Sequence, residues 1–76
     1  MHRLPVGGRA RVVAVRGEPE VRRRLLEMGL CRGVEVVCRR RAWWGDPIEF
    51  DVRGYRLALR AALAGEVTVC PMDAGV

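Results

Sequence analysis

A chain of 76 residues is a single domain; at that size it buries only about 60 % of its unfolded surface, which leaves room for one thin core and none for a cofactor cleft. Hydrophobic residues at 50 % and charged residues at 30 % exclude a disordered chain. The net charge of +5 favours acidic partners such as nucleic acid, an anionic membrane face or an acidic protein surface, but every basic residue is arginine and Lys, Asn, Gln and Ser are all absent, which reads first as a compositional bias.

After a turn at Gly7-Gly8, the β-rich run from Arg9 to Val15 reads as a first strand bounded by Gly17. From Glu18 the signals change to those of a helix. Pro19 suits a first helical position, Glu18 and Glu20 suit the positive end of the helix dipole, and Gly29 suits a left-handed stop, so a helix is predicted from Pro19 to Met28. Val21, Leu25 and Met28 form an apolar stripe that Leu26 widens, with Arg22, Arg23 and Arg24 on the flanks. About ten residues make a helix too short to stand alone, so it must pack on something.

That partner is a sheet. Val34, Val36 and Cys38 alternate with Glu35, Val37 and Arg39; Ile48, Phe50 and Val52 with Glu49, Asp51 and Arg53; Tyr55, Leu57 and Leu59 with Arg56, Ala58 and Arg60. Arg53-Gly54 reads as a tight hairpin, Ala42 to Pro47 as a longer loop, and Val67 to Cys70 as a closing strand. The expected fold is all-β: a small barrel of about five antiparallel strands, closed to bury one face and hide its edges, with one short inserted helix plugging an end. A helix-turn-helix reader is excluded, because period-two alternation, not a second helix, follows Gly33.

Cys31, Cys38 and Cys70 make an odd count without Cys-x-x-Cys spacing, and no signal peptide precedes them, so a reduced cytoplasmic setting is expected. All three cysteines read as buried small hydrophobes. A zinc site would need four ligands, and the remaining soft donor, His2, lies on a terminus expected to fray. No apolar run nears the roughly 20 residues that span a bilayer. With one histidine, one threonine and no serine, a nucleophile with a positioned base is hard to assemble, so no catalytic residue, metal site or cofactor is expected. Glu49 and Asp51 share the outer face of one strand and read as solvated charges between arginines.

Two features rise above the scaffold. In the run Arg39-Arg40-Arg41-Ala42-Trp43-Trp44-Gly45, adjacent indoles at a strand end point to opposite faces, so at most one is expected to join the core and the other to be exposed. Tryptophan and arginine are the residue types of interface hot spots, which makes Trp43, Trp44, Arg39, Arg40 and Arg41 candidates for partner contact. The second feature is the helix face at Leu26 and Met28, where a groove against the barrel would admit another protein's side chain. The competing reading is a nucleic-acid-binding barrel, with arginines tracking phosphates beside base-stacking aromatics.

The strings Leu25-Leu26-Glu27-Met28-Gly29-Leu30, Gly33-Val34-Glu35-Val36, Gly45-Asp46-Pro47-Ile48 and Gly54-Tyr55-Arg56-Leu57-Ala58-Leu59-Arg60, in that order, resemble the pattern of the FeoA family. The likeness runs from about Leu4 to Val69, with Arg32 where that family usually carries proline. It implies an SH3-like small barrel with an inserted helix, serving bacterial ferrous-iron uptake from the cytoplasm beside FeoB, the membrane permease that carries a GTP-binding domain.

Overall fold

A computed structural model describes residues 1–72. The elements run β1 (Arg9–Val15), α1 (Pro19–Glu27), β2 (Glu35–Arg41), β3 (Ile48–Val52), β4 (Tyr55–Leu59), α2 (Ala61–Ala64) and β5 (Val67–Pro71). The strands form one antiparallel sheet in the order β4-β3-β2-β1-β5, so the first strand pairs with the last. Two register shifts, at Val13 between β1 and β5 and at Arg39 between β2 and β3, sharpen the local bend. The sheet thereby wraps a single core: Val12, Val36, Cys38, Ile48, Phe50, Val52 and Val67 are almost wholly buried, and no polar or charged residue is buried among the described residues. Each such side chain contributes about 1.5–3 kcal/mol relative to exposure.

The strands expected from alternation all form. The hairpin between β3 and β4 turns on Arg53 (φ 49°) and Gly54 (φ 87°), the pair of positive φ values that a tight two-residue connection requires. The barrel departs from expectation at its seam, where no ladder joins β4 to β5 among the described residues. A second helix, α2, makes that connection instead, with Ala64 fully buried and Ala61 and Leu63 packed against the core.

Helix α1 starts with Pro19 in its first turn, as the sequence predicts. Leu25 carries it into the core at 0 % exposure, while Val21 and Met28 pack at the margin. The helix stops at Gly29 (φ 95°), where the Tyr55 hydroxyl donates a hydrogen bond to the Met28 carbonyl. A Cβ at position 29 would run into that hydroxyl. Glycine suits this position twice over, for the left-handed backbone and for the room it leaves the Tyr55 hydroxyl.

The amino-terminal segment does not fray. Met1 and Leu4 belong to the core, the Met1 amino group donates to the Val67 carbonyl (2.7 Å), and Arg41 Nη2 donates to the carbonyls of His2 (2.7 Å) and Leu4 (2.6 Å). The expectation of a loose end fails because the apolar side chains of Met1 and Leu4 complete a core that five short strands leave incomplete. The cysteines divide as well: Cys38 is buried on the inner face of β2, but Cys31 and Cys70 are exposed. Cys31 sits in the turn after α1 and Cys70 near the end of the edge strand β5, places where the chain has no second layer to bury a side chain.

Candidate functional site

The loop between β2 and β3 is closed at its base by a hydrogen bond from the Ala42 amide to the Pro47 carbonyl (3.0 Å). Inside it, the Gly45 amide donates to the Ala42 carbonyl (2.7 Å), which makes Ala42–Gly45 a β-turn with Trp43 and Trp44 at its two corners. Corner residues of a turn that stands off the barrel have no core to enter. Both indoles are consequently in solvent, Trp43 at 91 % and Trp44 at 60 % exposure, within the expectation that at most one would join the core. They pack on each other instead, edge to face, with ring centroids 5.1 Å apart at 90°.

The loop is held from both sides. Asp46 Oδ1 accepts from the Ala61 amide (2.8 Å) at the start of α2, with Arg60 3.8 Å from its other oxygen. On the strand side, Arg41 is fastened to the backbone of residues 2 and 4 as described. Neither anchor was visible in the sequence. Arg41 reaches carbonyls 37 and 39 residues away, and Asp46 caps a helix too short to show a period. Asp46 itself, a carboxylate in a loop beside an arginine-rich strand, was the one available sign of an anchor.

The arginines beside the tryptophans are not a free cationic rail. Arg39 pairs with Asp51 (2.7 Å) and Arg40 with Glu49 (3.6 Å), and Arg56 spans both carboxylates, 2.9 Å from Asp51 and 3.3 Å from Glu49. The hydrogen bond and charge of Asp51, with those of Glu49 behind them, raise the Arg56 guanidinium above its ordinary range. Glu49 and Asp51 thus lie between arginines, as their place on the outer face of β3 implied.

The helix candidates stand apart from the loop. In the β1–β2 register Arg11 faces Glu35, so the Val15 end of β1 lies at the start of β2, while the tryptophans follow its far end. Leu26 and the Trp pair therefore occupy opposite ends of the sheet. Leu26 is 46 % exposed and lines a shallow cleft of about 470 Å³ with Ala14, Val15, Pro19, Arg22, Arg23 and Arg32. Met28 does not share that cleft; it packs against the core, and its carbonyl is taken by Tyr55.

Among the described residues no three His, Cys, Asp or Glu side chains gather as a metal site. Burial raises the Cys38 thiol above its ordinary pKa, with the nearby Arg41 charge opposing in part. No helix of the described residues is long and apolar enough to cross a membrane.

Comparison with known proteins places this architecture. The FeoA domain profile matches residues 1–71. The chain belongs to the FeoA family. Among solved structures it is similar to the FeoA protein of Chlorobium tepidum (42 % identity, TM-score 0.85, covering 93 % of this chain and 68 % of that one). It is likewise similar to the FeoA-like protein of Clostridium acetobutylicum (32 %, TM-score 0.87, covering 93 % and 83 %). The FeoA of Stenotrophomonas maltophilia, solved with zinc and described as a prokaryotic SH3 domain protein, aligns at 32 % identity and TM-score 0.80 over 91 % of this chain and 86 % of that one. No curated protein matches. The SH3-like barrel and the tie to ferrous-iron transport that the sequence resemblance implied both stand as family properties.

Proposed function

We propose that this FeoA-family chain is a non-enzymatic accessory of bacterial ferrous-iron uptake that works in the cytoplasm by contact with the FeoB permease, using Trp43 and Trp44 as its anchor. The observation that carries the reading is the exposed, mutually packed indole pair on a turn fastened at its base. Two tryptophans in solvent cost the free domain apolar surface that a partner would cover, and a fixed turn loses little conformational entropy when it docks. Beside the loop, the outer face of β2 and β3 carries arginines already paired with acids, Arg39 with Asp51 and Arg40 with Glu49. The reading as a nucleic-acid barrel is weakened because Arg39 and Arg40, its phosphate-tracking residues, are already satisfied by Asp51 and Glu49.

Calorimetric titration against purified FeoB, and against single-stranded RNA, tests the proposal. Trp43→Ala should lower FeoB affinity by about 2 kcal/mol, roughly thirtyfold, while leaving the thermal midpoint unchanged. FeoB binding equal to the parent's by both Trp43→Ala and Trp44→Ala, with RNA binding that an Arg39/Arg40/Arg41→Ala variant abolishes, would refute it.

A further inference from the structure

The cleft between α1 and the end of β1 gathers three arginines among its lining residues. The ion pairs among the described residues use Arg9, Arg39, Arg40, Arg56 and Arg60. Arg22, Arg23 and Arg32, which rim the cleft, have no carboxylate within 4.0 Å among those residues, although Glu18, Glu20 and Glu27 lie on or beside the same helix. Among the described residues no acidic one lines the cleft; its apolar lining is Ala14, Val15, Pro19 and the exposed Leu26.

An aliphatic floor flanked by arginines that have no ion pair among the described residues is complementary to an aliphatic side chain flanked by carboxylates. We propose that this cleft docks an acidic peptide segment of a partner protein, with a leucine-like anchor seated on Val15, Pro19 and Leu26 and its flanking carboxylates on Arg22, Arg23 and Arg32. Arginine's fork pairs bidentately with carboxylates, and apolar anchors spaced along a short amphipathic segment fit a groove of this kind. A nucleic acid is the poorer match, because the cleft contains no aromatic side chain on which a base could stack. A lipid surface is the poorer match too, since the apolar side chains line a recess between helix and strand. The site lies at the end of the sheet away from Trp43 and Trp44, so it stands independently of the contact proposed for that loop.

The test is a titration of the isotope-labelled full chain, followed by amide chemical shifts, with a synthetic peptide of about twelve residues that carries a central leucine flanked by glutamates. Saturable shifts are expected at Ala14, Val15 and Leu26, and affinity should fall as salt rises from about 50 to about 300 mM. The exposed-site variant Leu26→Ser and the double variant Arg22→Ala/Arg23→Ala should each weaken binding about tenfold with an unchanged melting curve, whereas Trp43→Ala/Trp44→Ala should bind as the parent does. A matched peptide with lysine in place of glutamate should not bind. Absence of saturable shifts at these residues, equal binding of the lysine peptide, or shifts there only with phosphatidylglycerol vesicles or single-stranded RNA would overturn the proposal.

Discussion

The contact between Gly29 and Tyr55 makes a quantitative demand on the α1 terminus. Gly29→Ala places a methyl group at a φ of 95°, which costs about 1 kcal/mol in left-handed strain. The same methyl meets the Tyr55 hydroxyl, so the ring must swing away and give up its bond to the Met28 carbonyl, a further loss of about 1 kcal/mol. The single variant should therefore lose about 2 kcal/mol, which in a domain of this size lowers Tm by roughly 8–16 °C. Tyr55→Phe alone should cost about 1 kcal/mol. In the double variant the hydroxyl is gone and the nearest remaining ring carbon, Cζ, lies 3.5 Å from the new methyl, an ordinary contact. Only the strain and the already lost hydrogen bond remain, so the double variant should fall about 2 kcal/mol below the parent, against about 3 kcal/mol for independent effects. Urea melts of the four proteins at constant m-value measure this. Additive losses, or a Gly29→Ala protein as stable as its parent, would refute the argument.

Three other outcomes follow from the packing. Leu25→Ala empties the centre of the helix stripe at a residue of 0 % exposure, and a loss of about 2–5 kcal/mol should leave the domain largely unfolded in a thermal melt. Under native conditions a thiol reagent should label Cys31 and Cys70 quickly, while Cys38, buried and with its thiol pKa raised, should react only as fast as the protein opens, a difference that mass mapping of the modified peptides reads directly. Arg41→Met removes the donor to the His2 and Leu4 carbonyls; about 1–3 kcal/mol of stability should go with it, and hydrogen exchange should show residues 1 to 5 losing protection before β2 does.

What could be read in advance was whatever depends on neighbours in the chain. Period-two runs gave β2, β3 and β4, a Pro19 start and Gly29 stop bounded α1, and Arg53-Gly54 announced its hairpin, because each signal spans a few residues. The four residues of α2 are too few to show a helical period, and their place between the edge strands is a tertiary fact. That both indoles face solvent was not legible, because alternation along β2 says nothing of a turn whose two corners both face outward. The cysteines were read from a general tendency to burial, which says nothing about whether a second layer exists above Cys31 or Cys70. The arginines at 39 and 40 were counted as available charge because their partners, Asp51 and Glu49, are across the sheet and not adjacent in the chain.

The pairing of β1 with β5 also fixes when this domain can fold. Ala10, Val12 and Val15 wait for partners that are translated more than fifty residues later, and β2 covers only one edge of β1. A nascent chain that ends before Val67 has α1 and the β2–β3–β4 meander but a first strand open along its other side, with the core floor exposed beneath it. Such a topology, rich in contacts between distant parts of the sequence, folds on the millisecond-to-second scale typical of small barrels. Assembly must therefore wait until β5 has been made, and a chain cut before Val67 would hold a sticky, half-built sheet.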